Sequence, residues 1–265
     1  MTRFVVALRA EARPLIERYG LDPTGEGEFR TFRRGDTSLV ISGVGKVAAA
    51  WATAYIQEHP LEVWLNVGIA GHRDRSPGEI TRAHRVTDSA TGERFYPTLL
   101  GLPRLDTTGV TTVDVPETDF ASDDLYDMEA SGFYRSALSF STSELVQCVK
   151  IVSDNRDSGT KGLTGARVSE LVTRNLDAID EVVAHLEALA IELEPTRQTP
   201  DTESFFEMWH FTTSERRRLS RTLNRYRALT TPPAAQELSH AKTASAVLHE
   251  LDERLHALAL EQDEF

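Results

Sequence analysis

Three largely apolar runs, residues 4–8, 63–67 and 145–152, constrain this 265-residue chain more than any other feature. A strand with one wet face alternates apolar and polar residues, whereas a strand covered on both faces reads as a near-continuous apolar run. The segments between them, including 10–19, 43–58 and 166–193, read as helices. Strands alternating with helices predict an α/β fold of three layers, αβα, around a central mixed, twisted sheet. In an open sheet of this kind, ligands bind beyond the C-terminal ends of the strands. The residues at those ends are therefore the first candidates for chemistry. Glu11 lies three residues past the first run, Gly68-Ile69-Ala70-Gly71 closes the second, and Ser153-Asp154 closes the third.

The remaining pattern fills in the sheet. Residues 28–34 and 37–42 predict a hairpin turning at Gly35-Asp36. Gly43-Val44-Gly45-Lys46 opens an Ala-rich helix that Pro60 prevents from continuing. Segments 79–88 and 110–115 read as further strands. Residues 125–138 read as a helix carrying Met128-Glu129 near its start. Together these make an α/β domain over residues 1–193.

A polar stretch with two prolines, residues 194–200, reads as a linker. Beyond it, residues 201–265 predict a C-terminal helical appendage with helices at 213–229 and 234–260, broken at Pro232-Pro233. Phe205, Phe206, Trp209 and Phe211 are expected to dock it on the main domain. Six arginines lie between 216 and 227, with Leu219, Leu223 and Tyr226 at helical spacing. Such a basic amphipathic helix serves nucleic acid or an acidic partner. The alternative favoured here is neutralisation by Glu250, Asp252 and Glu253 of the last helix.

The net charge of −12 argues against the whole chain being a nucleic-acid binder, so binding to DNA or RNA is expected to be weak at physiological salt. No run approaches the ~18 apolar residues of a membrane span, and the chain enters a strand without a signal-peptide pattern. The single cysteine, Cys148, lies in an apolar run and reads as a core side chain. A cytoplasmic protein is the expectation. No Cys/His cluster has ligand spacing, so neither a metal nor another cofactor is implied.

In chain order, Glu11, Gly-Val-Gly-Lys-Val from Gly43 to Val47, Asn-Val-Gly-Ile-Ala-Gly from Asn66 to Gly71, Asp127-Met128-Glu129-Ala130, and Val152-Ser153-Asp154 form one series. The series resembles the nucleoside phosphorylase superfamily, most closely its methylthioadenosine/S-adenosylhomocysteine nucleosidase branch, over roughly residues 3–193. The resemblance implies cleavage of the N-glycosidic bond of a purine or related nucleoside. That reaction builds positive charge on the ribose and negative charge on the departing base. It needs an acid at the base and an activated water on the other face of the sugar. The resemblance assigns Asp154 to protonating the base, Glu11 to the water, Glu129 to the ribose hydroxyls and Met128 to packing on the sugar. Ala7, Leu8, Val44, Gly45, Gly68, Ile69, Ala70 and Gly71 are the further substrate-binding candidates it implies. It also implies a small-molecule nucleoside as partner and a homo-oligomer, a dimer.

The chain departs from the family in three places. Ile69 stands where Ser or Thr is common. The segments around 69–110 and 115–128 are short, which leaves Phe120, Phe133 or Tyr134 as the candidate aromatic platform. No arginine-rich phosphate site is visible, although Arg9, Arg73 and Arg75 lie near the predicted edge. Hydrolysis is therefore expected over phosphorolysis, with phosphate left open as a second ligand. His72 reads as a loop residue. A scaffold of this fold with little activity, binding a protein or nucleic acid, is the competing reading.

Overall fold

The computed structural model describes every residue except 60, 100, 102–104, 118, 160–161, 198–200 and 263–265, and gives backbone alone at 194–197, 228–229 and 259–262. Pro60 thus lies outside the described residues. The chain divides into two compact units, Met1–Glu192 and Leu193–Phe265.

The first unit is built on strands β1 (Thr2–Val6), β2 (Asp22–Pro23), β3 (Arg30–Arg34), β4 (Thr37–Ile41), β5 (Val63–Gly71), β6 (Ile80–Asp88), β7 (Arg94–Phe95), β8 (Thr107–Thr112), β9 (Leu125–Asp127) and β10 (Val146–Asp154). Its helices are α1 (Arg9–Tyr19), α2 (Lys46–Tyr55), α3 (Ala130–Ala137), α4 (Gly165–Arg174) and α5 (Leu176–Arg197). β4, β1, β5 and β10 run parallel side by side, and β2 and β3 extend the sheet antiparallel beyond β4. From β5 the sheet also curls. β10 pairs with β6, β6 with β8, β8 with β9, and β9 returns to β5 at Gly71–Tyr126. These five strands close a ring.

Side-chain alternation along the parallel strands feeds both faces of the sheet. Val5 and Trp64 join the core beneath α2 and α3, while Phe4 stacks with Tyr19 of α1, ring centres 5.0 Å apart. The two helix pairs are locked by local chemistry. Pro14 has no N–H, so the Ala10 carbonyl lacks its usual helical donor. Ser169 Oγ of α4 supplies the proton instead, at 2.6 Å. On the other face, a Cβ at Gly132 of α3 would stand 1.8 Å from the Lys46 carbonyl oxygen of α2, so only glycine permits that approach. Both locks hold helix N-termini that carry site residues.

Three expectations change. Residues 125–127 form a strand rather than the start of a helix, because Leu125, Tyr126 and Asp127 pair with β8 and close the ring. The long helix 166–193 is interrupted at Asn175, whose side-chain amide donates to the Leu171 and Gly78 carbonyls. The segment read as a linker continues α5 as far as Arg197.

The second unit holds α6 (Glu203–Met208), α7 (Thr213–Leu229), a 3₁₀ turn at Ala235–Leu238 and α8 (Ala244–Gln262). The helix expected from residue 234 therefore begins ten residues later. Thr212 and Glu215 form a reciprocal capping box at the start of α7. Phe205, Trp209 and Phe211, with Phe206 beside them, pack on Leu219, Leu223, Leu248 and Leu251 within this unit's own core. No helix among the described residues is long and apolar enough to cross a membrane.

Candidate active site

Parallel pairing of β4, β1, β5 and β10 brings four strand ends to one edge, and a cavity of about 360 Å³ opens there. That volume falls at the small end of ligand pockets. Ala7, Leu8, Glu11, Val44, Ile69, Ala70, Gly71, Met128, Glu129 and Asp154 line it. Of the twelve residues singled out in the sequence, only Gly45 and Gly68 stand behind the wall.

Glu11 is 2% exposed and sits in the first turn of α1. Its Oε2 accepts from the Leu8 amide at 2.7 Å and the Ala7 amide at 3.1 Å, and its Oε1 from the Ile69 amide at 2.9 Å. A carboxylate offers about four acceptor positions, so roughly one remains for a water. Burial pushes the carboxyl up to about 7, against the backbone donors and Lys150, which favour the charged form. A base titrating near neutrality is matched to proton transfer at that pH. Gly68 makes the arrangement possible: a Cβ there would lie 3.0 Å from Glu11 Oε1 and 3.5 Å from Lys150 Nζ.

Glu129, at the start of α3, is buried and accepts from the Gly45 amide at 2.8 Å. Gly45 caps α2 with φ of +107°, a backbone conformation that favours glycine. Burial raises the Glu129 carboxyl, with Asp127 adding to the rise and Lys150 opposing it. Met128 lines the cavity beside it, half-buried.

Asp154 ends β10 where the register with β5 shifts by one residue between Val152 and Asp154. Such a bulge re-aims a side chain. The carboxylate faces the cavity and accepts a hydrogen bond from the Ser153 hydroxyl.

Two functional neighbours were not singled out in the sequence. Lys150 and Asp127 form an ion pair at 2.7 Å inside the strand ring, with side chains 1% and 0% exposed. Asp127 also accepts from the Thr112 hydroxyl and the Ala130 amide. Burial works against the Lys150 charge, but Asp127 and Glu129 outweigh it and hold the ammonium above its usual range. A lysine in an otherwise apolar strand was the available signal.

The aromatic wall also differs from expectation. Phe133 and Tyr134 belong to the core beneath α2 and α3, and Phe120 packs edge-on against Tyr126. Tyr126 is the aromatic residue that lines the cavity. His72 is buried away from it, accepting from the Asp74 and Arg75 amides through Nδ1. Arg73 pairs with Asp74 and Asp123, and Arg75 with Glu79 and Asp106. Neither lines the cavity, and nor does Arg9, so the described lining contains no arginine or lysine. Among the described residues, no group of three or more His, Cys, Asp or Glu could hold a metal ion.

No protein-family model and no curated protein matches the chain. Solved structures do. An apo 5′-methylthioadenosine nucleosidase from Arabidopsis thaliana aligns with TM-score 0.59 and 18% identity, covering 70% of this chain and 95% of that one. The methylthioadenosine/S-adenosylhomocysteine nucleosidase of Colwellia psychrerythraea in complex with adenine aligns at 0.52 and 19%, covering 68% and 95%. The Chlamydia trachomatis nucleosidase bound to methylthioadenosine aligns at 0.54 and 20%, covering 67% and 96%. With its mixed sheet flanked by helices, the chain has the nucleoside-phosphorylase-like α/β fold of the methylthioadenosine/S-adenosylhomocysteine nucleosidases, and it carries a C-terminal helical region.

Proposed function

We propose that this protein hydrolyses the N-glycosidic bond of a purine nucleoside or a related nucleoside. The carrying observation is that Glu11, Glu129 and Asp154, far apart in sequence, line one cavity. A scaffold without activity would have no need to gather three carboxyl groups at one strand edge. Glu11 orients and deprotonates the attacking water through its remaining acceptor position. Glu129 accepts the ribose hydroxyls. Asp154 delivers a proton to the leaving base, with the Ser153 hydroxyl fixing its rotamer. The solved relatives that hold adenine or methylthioadenosine support a purine ligand in a cavity of this fold.

Hydrolysis is favoured over phosphorolysis on charge. Five lining residues carry carboxyl groups, Glu11, Glu117, Asp127, Glu129 and Asp154, and no described lining residue is a cation that would hold phosphate. The test is a panel of purine and pyrimidine nucleosides with 5′-hydroxyl and 5′-thioether substituents, assayed with and without phosphate. Free base and free sugar are expected, at a rate indifferent to phosphate. A sugar 1-phosphate product would replace the reading with phosphorolysis, and no turnover across the panel would support the scaffold.

A dimer belongs to the same proposal. Val44, Val47, Trp51 and Tyr55 expose an apolar stripe along α2, and Phe29 packs edge-on against Trp51 and Tyr55. Residues 47–57 contain no acidic or basic side chain. In a chain of net charge −12, that face is one that two copies can bring together without like-charge repulsion.

A further inference from the structure

Among the described residues, the neutralisation expected along α7 is seen at one arginine. Arg218 pairs with Asp252. Arg216 is occupied within its own unit, lying 4.4 Å from the centre of the Phe206 ring and donating to the Phe211 carbonyl. The other described acids of α8 are engaged elsewhere: Glu250 by Arg254 and His240, and Glu253 by His249. Arg217, Arg221 and Arg225 are exposed and make no ion pair among the described residues. They are spaced four residues apart, so they rise about 6 Å from one to the next along a single helix face. Ser214 precedes Arg217 on this face, and Ser220 and Asn224 stand between the arginines.

The composition of this face selects its partner. Leu219, Leu223 and Tyr226 turn inward to the unit's core, which leaves the outer face without an apolar side chain among the described residues. A stable protein interface needs an apolar centre, and a membrane-surface helix needs an apolar face free for the lipid. A phosphodiester backbone needs neither. Arginine forks, hydroxyls and side-chain amides are the groups that grip phosphate oxygens. The solved nucleosidases compared above cover 67–70% of this chain and 95–96% of their own, so a substantial part of this chain lies outside each match.

We propose that the outer face of α7 binds the phosphate backbone of a nucleic acid without sequence preference. The chain's net charge of −12 opposes the contact, so it is confined to low and moderate salt. Three phosphates neutralised give a slope of log affinity on log salt of roughly −2 for a single strand and −3 for a duplex.

The test is fluorescence anisotropy of the full-length protein with labelled single-stranded and duplex oligonucleotides of about 20 nucleotides. Between ~50 and ~200 mM salt, binding should weaken by roughly 20- to 40-fold. The triple variant Arg217→Gln, Arg221→Gln, Arg225→Gln should lose it, while the triple change to Lys should keep it with a similar salt slope. Nucleoside hydrolysis should be unchanged in both variants. The proposal is overturned by absence of binding at the lower salt, or by equal binding of the Gln variant. It is also overturned if polyglutamate binds the stripe, or anionic vesicles capture it, as well as the oligonucleotide does.

Discussion

Titrating Glu11 tests the site through stability as well as rate. Its carboxyl rises from an ordinary 4.5 to about 7, chiefly because burial disfavours the charge. Between those values the native state holds the proton and the unfolded state has released it. Stability is therefore fully present below pH 4.5 and is lost as pH rises through 7. At about 1.4 kcal/mol per pH unit, the loss amounts to about 3 kcal/mol. The perturbation is Glu11→Gln, which cannot titrate. It carries a cost of its own, since three amides point at this side chain. Whichever way the Gln amide turns, its NH₂ faces at least one of those donors, costing about 1–3 kcal/mol at every pH. The readout is thus the pH slope of the difference, not its size. Glu129 titrates upward in the same sense but is common to both proteins, and Asp88, lowered to about 2, acts only below the window. Urea unfolding at pH 5, 6, 7 and 8 should show the parent losing about 3 kcal/mol relative to the variant, a relative midpoint shift of roughly 1–2 M. In parallel, parental kcat/KM for base release should rise along the acid limb of its pH profile with a midpoint near 7. A stability difference flat from pH 5 to 8, or a rate midpoint below about 5.5, would refute the assignment of Glu11 as a buried base.

Asp154→Asn should lower kcat for base release by roughly 10²- to 10⁴-fold with an unchanged circular dichroism spectrum. Turnover at the parental rate would remove Asp154 from the mechanism. Lys150→Met should destabilise by about 3–5 kcal/mol, because Asp127 is left charged and unpaired inside the ring. Adding Asp127→Asn should recover most of that loss in the same unfolding assay, and a double variant no more stable than the single would count against the ion pair as the cause. Trp51→Glu places a charge on the apolar stripe of α2. Light scattering should then report a monomer where the parent is a dimer, and a monomeric parent would end the dimer proposal.

The parts of the fold that sequence made legible are those whose signal is local. Residues 4–8, 63–67 and 145–152 are apolar because both sheet faces are covered, and that alone predicts parallel strands ending at one edge. Glu11 and Asp154 could be placed because each follows such a run within three residues. Residues 125–127 could not be read this way. Three residues carry no periodicity, and their strand exists only because Val110 and Gly71 supply partners 15 and 55 positions away. Tyr126 was missed as the aromatic wall for the same reason, since pairing with Gly71 turns the segment toward the cavity. Lys150 was hidden by its neighbours: an apolar run predicts a dry strand, and a charge is tolerated there only because ring closure brings Asp127 to it.

Ring closure also explains why carboxyl groups can be concentrated at this edge. Burying Glu11, Asp127 and Glu129 together as three anions would be prohibitive without a countercharge. Lys150 supplies one cation, and Asp127 takes the direct contact. That leaves the two glutamates to divide what remains, and burial raises both. Glu11 is thereby poised near neutrality, where a modest change in surroundings can move its proton. For a neutral water as nucleophile that poise is useful, because Glu11 can take its proton as the glycosidic bond opens. For a phosphate dianion the same cavity is hostile, since Lys150 is already engaged with Asp127 behind the wall. The proton economy of the ring and the proposal of hydrolysis therefore rest on the same pair, and exchanging Lys150 and Asp127 for neutral residues should move the rate midpoint assigned to Glu11 as well as the stability.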